Sequence, residues 1–247
     1  MLHIFAEPGD ISGDRLTITG KEYNHIRNVL RMKQGEIISV SDGQDGRDYR
    51  FAIDGFTDSQ VLCRLVSVAE SGAELPVRVV LFQGIPKGDK MEFIVQKATE
   101  LGVSDVVPVM MARSVVKIDP KDRIRKQERW QKIAREAGKQ SGRCVIPEIH
   151  APVSVRETAD MIRKLDAVAV PWESSRESGP LAFAKEHPDI RSLGIVIGPE
   201  GGIEPGEISF LTSVSCDIIT LGPRIMRTET AGLAAVSAFS ALYGEME

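Results

Sequence analysis

From Val77 onward the chain alternates short, almost wholly apolar runs with segments of helical length, and that alternation constrains the fold more than any other feature. Val77–Phe82, Asp105–Val109, Asp166–Val170, Leu193–Ile197 and Asp217–Leu221 are the apolar runs. They lack the period-two alternation of a half-solvated strand, so they read as strands buried on both faces. Between and after them lie helical stretches, among them Pro86–Leu101, ended by Gly102, and Lys121–Gln140. Strand, helix, strand in this order implies an α/β domain built on a parallel sheet.

Residues 1–72 have a different rhythm. Arg15–Ile18, Glu36–Val40, Tyr49–Ile53 and Val61–Val66 are short segments of strand character separated by turn clusters such as Ser41-Asp-Gly-Gln-Asp-Gly46. That spacing predicts a small β-barrel, interrupted by one helix over Lys21–Met32. Ser71-Gly-Ala-Glu-Leu-Pro76 reads as a linker, giving a β domain over 1–72 and an α/β domain over 73–247.

The net charge of −4 argues weakly against a polyanion partner, but its distribution argues for one. Residues 113–143 hold eleven Lys/Arg against four acids, a local +7 that leaves −11 for the rest. Within Lys121–Gln140, Trp130, Ile133, Ala134 and Ala137 fall at i, i+3, i+4, i+7 and form an apolar face. Arg125, Arg129, Lys132 and Lys139 fall on roughly the opposite side. One face can pack on the sheet while the other meets phosphates. A solvated helix face would look the same.

Several chemistries find no support. The chain has neither G-x-x-x-x-G-K-[ST] nor G-x-G-x-x-G, and no G-x-S-x-G elbow. Cys63, Cys144 and Cys216 are distant and odd in number, and four histidines are scattered, so neither a disulfide framework nor a metal site is expected. No apolar run approaches the ~20 residues of a membrane span, and the N-terminus lacks the form of a signal peptide. A reducing cytoplasm is the expected setting.

Two C-terminal segments carry the strongest functional signal. Leu193–Ile197 runs into Gly198-Pro-Glu-Gly-Gly202, and a helix opens near Pro205. Ile218–Leu221 runs into Gly222-Pro-Arg-Ile-Met-Arg227, and a second helix follows, with Thr228 placed to cap it and Glu229 in its first turn. Ligands of open α/β sheets bind at the carboxyl ends of strands, so the two turns read as two walls of one pocket. Taken singly, each is equally a strand-to-helix turn punctuated by Gly-Pro.

Ile197-Gly-Pro-Glu-Gly-Gly202 followed by Leu221-Gly-Pro-Arg-Ile-Met-Arg-Thr-Glu-Thr230 resembles the signature of the RsmE family, the SPOUT-class methyltransferases of a 16S rRNA uridine N3. His25-Ile-Arg-Asn-Val-Leu-Arg31, Lys97–Val103, Arg113–Val116, Arg129–Ala134 and Gln140–Arg143 resemble further family blocks. Met226 stands where leucine is usual, a mild exchange. The resemblance implies a PUA-like β-barrel followed by a SPOUT domain with a C-terminal trefoil knot, S-adenosylmethionine bound in the knot, a homodimer, and 16S rRNA or the 30S subunit as partner.

Carried onto this chain, the resemblance gives the cofactor to Ile197, Gly198, Pro199, Gly201, Gly202, Leu221, Gly222, Ile225, Met226 and Thr228, with Pro171 at a third strand end. Arg227 is the candidate to stabilise the uracil anion or grip a phosphate, and Glu229 or Glu200 to take the N3 proton. Arg31, Arg113, Lys117, Arg129 and Arg143 are the candidate RNA contacts. A SPOUT enzyme acting on another atom, or an RNA-binding assembly factor with a vestigial pocket, would share most of these features.

Overall fold

The structure, a computed structural model, describes residues 1–244 apart from Pro8, Ser71 and Glu177. The chain forms two compact units, one of residues 1–74 and 138–146, the other of 75–137 and 147–247.

In the first unit β1 (His3–Phe5), β2 (Ile11–Ser12), β3 (Arg15–Ile18), β4 (Ile37–Ser41), β5 (Arg47–Phe56) and β6 (Val61–Glu70) form one sheet in the order β1-β4-β5-β6-β3-β2. Only the β1–β4 pair is parallel. Register shifts at Arg50/Phe51 and Ile53/Gly55 bend the long β5–β6 ribbon. The sheet encloses Ile4, Leu16, Ile38, Val40, Phe51, Ile53 and Val61. The expected helix over Lys21–Met32 is shorter and irregular: α1 (Gly20–Asn24) passes into a π-type turn over His25–Val29. The Leu30 amide donates to the His25 carbonyl at 2.9 Å, and Arg31 then adopts φ +54°. Ile26 is buried by this turn while Arg31 is left exposed.

The second unit is the parallel α/β domain. It contains β7 (Arg78–Gly84), α2 (Lys90–Glu100), β8 (Asp105–Met110), α3 (Arg123–Ser141, whose end lies in the first unit), β9 (Glu148–Ile149) and β10 (Val153–Ser154). It continues with α4 (Ala159–Ile162), β11 (Ala167–Pro171), α5 (Pro180–Glu186), β12 (Ser192–Ile197), α6 (Pro205–Ser213), β13 (Asp217–Ile219) and α7 (Thr228–Leu242). The sheet runs β10-β8-β7-β12-β11-β13, with β9 beside β8, and every pairing is parallel.

The apolar runs are buried on both faces for the expected reason. Val79, Leu81, Leu193, Ile195 and Ile197 face a core completed by Ile94, Trp130, Ala235 and Phe239. Val80, Phe82, Val107, Val168 and Val196 face a second core, with Ile208 and Leu211 of α6. After β13 the chain returns across the sheet, so that α7 packs on β12, β7 and α2. The predicted helix start at Pro86 shifts to Lys90, because Gly88 takes φ +66° and the Lys87 amide is spent on the Glu200 carboxylate.

Candidate functional site

The carboxyl ends of β11, β12 and β13 open into a cavity of about 580 Å³, within the range of small-molecule sites. Pro171, Ile197, Gly198, Pro199, Gly201, Gly202, Leu221, Gly222, Ile225, Met226 and Thr228 all line it, as do Glu200 and Arg227. The two glycine–proline turns are therefore walls of one pocket.

A third wall had no signal in the sequence reading beyond Pro171. Trp172, Glu173 and Arg176 follow β11 into the cavity. The Trp172 amide donates to Ile219 O at 3.0 Å and the Thr220 amide to Ser178 O at 2.8 Å, stitching this segment to the end of β13.

Two glycines are required by shape. A Cβ on Gly84 would come within 2.6 Å of the Pro199 nitrogen, so only glycine lets the Gly198–Pro199 peptide lie on the end of β7. Gly202 has φ +74°, which lets the turn fold back beside the Glu173 carboxylate.

The first turn is tied down from several sides. Thr228 Oγ1 donates to the Gly198 carbonyl at 2.6 Å. Arg113 Nη1 donates to the Gly201 carbonyl at 3.2 Å, which places this candidate RNA contact at the rim of the pocket. The Ala112 amide donates to Glu207 in the capping box of α6.

Thr228 is not the cap of α7. Arg227 holds the N-cap position with extended backbone, and Thr228 is the first helical residue, buried, with its hydroxyl committed to Gly198. The Arg227 side chain is exposed and makes no ion pair or hydrogen bond among the described residues. Lys90, which sequence reading missed, bridges Glu229 at 3.1 Å and Glu200 at 3.3 Å. Burial pushes the Glu229 carboxyl up, but its own backbone N–H, the Lys90 ammonium and the Arg227 charge more than offset this and hold it below its ordinary value. Glu229 does not line the cavity and is a poor proton acceptor there; Glu200 does line it.

Of the other candidate RNA contacts, Arg31, Lys117 and Arg129 are exposed, and Arg129 pairs with Glu92 at 2.5 Å while 58% exposed. Arg143 is corrected: it is 2% exposed and its Nε and Nη2 both donate to Glu74, whose other oxygen accepts from the Cys144 and Val145 amides. A guanidinium so enclosed cannot meet a phosphate. Lys139 is likewise withdrawn from the basic face by Glu22 at 2.6 Å.

Outside the pocket, Asp105, Glu148 and His150 converge at the starts of β8 and β9, but Arg78 sits 2.8 Å from Asp105 and supplies the balancing charge. Burial pushes the Cys63 and Cys216 thiols up to about 12, so neither is a thiolate at neutral pH. No helix among the described residues is long and apolar enough to cross a membrane.

The fold and the three-walled site define a class, an RNA methyltransferase domain joined to a PUA domain. Residues 73–240 match the family described as the RNA methyltransferase domain, and residues 18–66 the RNA methyltransferase PUA domain. A Bacillus subtilis ribosomal RNA small subunit methyltransferase E is 40% identical over 228 residues, 91% of this chain and 89% of that protein. The Synechocystis protein of the same name is 29% identical over 95% of this chain and 76% of its own length. Among solved structures, the Neisseria gonorrhoeae methyltransferase E bound to S-adenosyl methionine superposes with TM-score 0.85 at 27% identity, over the full length of both chains. A Legionella pneumophila protein solved with the cofactor bound gives 0.81 at 31%, over 97% of each chain. The chain belongs to the ribosomal RNA small subunit methyltransferase E family.

Proposed function

We propose that this protein transfers the methyl group of S-adenosylmethionine to N3 of one uridine of 16S rRNA in the small ribosomal subunit. The observation that carries the reading is the cavity at the ends of β11, β12 and β13, walled by both glycine–proline turns, with Arg227 free at its mouth.

The residues fit the cofactor. The walls are largely backbone, glycines permit close approach, and Ile197, Leu221, Ile225 and Met226 offer apolar surface for a nucleoside. Pro171, Gly198, Pro199, Gly201, Gly202, Gly222 and Thr228 would hold it from the three strand ends. Bound S-adenosylmethionine supplies an electrophilic methyl group on a sulfonium.

The chain's own residues supply orientation and charge. The cradle would hold donor and acceptor in near-attack geometry, and orientation of that kind supplies much of the acceleration of a group transfer. Uridine N3 must lose its proton, so the ring becomes anionic. We assign stabilisation of that anion to Arg227, an exposed cation that lines the cavity. Glu200 is the proton acceptor, and Glu229 holds Lys90 in place beside it. N3 lies on the Watson–Crick edge, so the uridine must enter the site unstacked.

Residues 1–72, as a PUA-like unit carrying Arg31, and the cations Arg113, Lys117 and Arg129 of the domain over 73–247 hold the RNA. A trefoil knot in the domain over 73–247 would follow from the resemblance to the SPOUT class. The active form would be a homodimer, as the resemblance to the SPOUT class implies. The enzyme would act in the cytoplasm, where ribosomes are assembled, and no step calls for a metal.

The deciding experiment is methyl transfer from labelled S-adenosylmethionine to 30S subunits that lack the modification, with mass spectrometry of the nucleosides. The expected product is 3-methyluridine. Methylation at another atom overturns the N3 assignment, and no transfer with no cofactor binding overturns the enzyme reading.

A further inference from the structure

We infer that Gln83, outside every motif that suggested function, is a positioning residue that locks two walls of the cofactor pocket together through Thr228. The inference rests on the methyltransferase reading above.

Gln83 lies near the end of β7, an interior strand, and is completely buried. Its Nε2 donates to the Gly84 carbonyl at 3.0 Å and to Thr228 Oγ1 at 2.9 Å. Thr228 Oγ1 in turn donates to the Gly198 carbonyl at 2.6 Å. The direction of this relay is fixed by proton counting. A threonine hydroxyl has one proton, and it is spent on Gly198, so toward Gln83 the oxygen can only accept. The amide orientation follows: reversed, Oε1 would face a carbonyl oxygen and a hydroxyl oxygen with no proton to give.

The relay has a visible cost. Among the described residues, the buried Gln83 Oε1 has no hydrogen-bond partner, a state proteins avoid. It lies against α7 at Gly232, where an added Cβ would stand 3.1 Å from it. An apolar side chain at 83 would remove the orphaned oxygen and suit the surrounding Leu81, Ile197 and Ala235 core. What the glutamine adds is its NH₂ group, and that group holds the junction of two pocket walls. Gly198 begins one wall and Thr228 ends the other, 30 residues on in sequence, and both line the cavity. With its carbonyl taken, the Gly198–Pro199 peptide is fixed in plane, and the turn that follows inherits that orientation. Gln83 itself does not line the cavity, so it acts through Thr228.

The test compares Gln83→Met, Thr228→Val, the double variant and Thr228→Ser with the wild-type protein. S-adenosylmethionine affinity is measured by calorimetry, KM and kcat by methyl transfer at saturating 30S subunits, and the urea midpoint without cofactor. Gln83→Met and Thr228→Val are each expected to raise Kd and KM for the cofactor roughly tenfold, the scale of a lost buried hydrogen bond. Because one relay is broken in either case, the double variant loses little more than the worse single variant. Thr228→Ser, which keeps the hydroxyl, recovers most of the loss, and kcat at saturating cofactor falls by less than about threefold in each.

Cofactor affinity within twofold of wild type in both single variants overturns the inference. So do effects that multiply in the double variant, or a Thr228→Ser as weak as Thr228→Val. If Thr228→Val does not fold, Gln83→Asn, whose amide is one methylene too short to reach, carries the same comparison. A wild-type chain that binds no S-adenosylmethionine overturns the functional reading first and the relay's purpose with it, whereas a wild type that binds and variants that bind equally well overturn the relay alone.

Discussion

Lys90 stands between two carboxylates, Glu200 in the turn after β12 and Glu229 in the first turn of α7, and pairs with both. Glu229 is held below its ordinary pKa when folded, so its ionised form stabilises the native state at neutral pH. That contribution is present above the unfolded carboxylate value, ~4.3, and is lost as pH falls through the lowered folded one. Wild type is therefore expected to exceed Glu229→Gln in urea midpoint at pH 7, with the gap closing in acid below that range. A gap that persists unchanged in acid would remove the ion pair as its cause. For chemistry, Arg227→Ala is expected to lower kcat by about a hundredfold or more while leaving cofactor affinity near wild type, since its side chain is exposed at the mouth. Turnover like wild type would overturn the role given to that cation. Arg143 belongs to stability instead. Arg143→Ala leaves the Glu74 carboxylate without its ion-pair partner and is expected to destabilise the protein by about 3 kcal/mol, with no change in the salt dependence of RNA binding.

At the scale of elements, close contact of strand ends with the turns that follow shapes the pocket. Gly84→Ala drives a methyl group into the Pro199 backbone, so the Gly198–Gly202 turn must lift from β7. Cofactor affinity is expected to fall by tenfold or more, read by calorimetry on folded protein. The basic segment divides by packing. Lys117 and Arg129 remain exposed, and the Glu92 pair on Arg129 is solvated enough to yield to a phosphate. Replacing both by alanine is expected to weaken RNA binding and reduce the slope of log K against log salt by about one to two. An unchanged slope would remove them from the interface. Arg143 and Lys139 fall in the same charge run but are consumed by Glu74 and Glu22 of the first unit.

For the whole molecule, cofactor binding should appear as stability. A ligand that binds only the native state at 100 times its Kd adds about 2.7 kcal/mol. At ~2–4 °C per kcal/mol for a domain of this size, the α/β unit is expected to melt roughly 5–10 °C higher with S-adenosylmethionine. A melting curve indifferent to the cofactor would count against the pocket as its site.

The sequence alone determined whatever depends on local periodicity and on residues near in the chain. Continuous apolar runs specified strands buried on both faces, and Gly-Pro after two of them marked where backbone would bend sharply toward a ligand. The second unit's sheet is parallel throughout, as those runs required, and both turns reach one cavity. What only the tertiary structure decided depends on partners distant in sequence. Whether an arginine meets solvent or Glu74, 69 residues away, is invisible to a count of charges. Thr228 looked like a cap because hydroxyls at helix starts usually are, but tertiary packing offered it the Gly198 carbonyl, 30 residues back. Gln83 and Lys90 carried no signal at all, since a single amide or ammonium gains meaning only from the groups that folding brings within 3 Å or so of it.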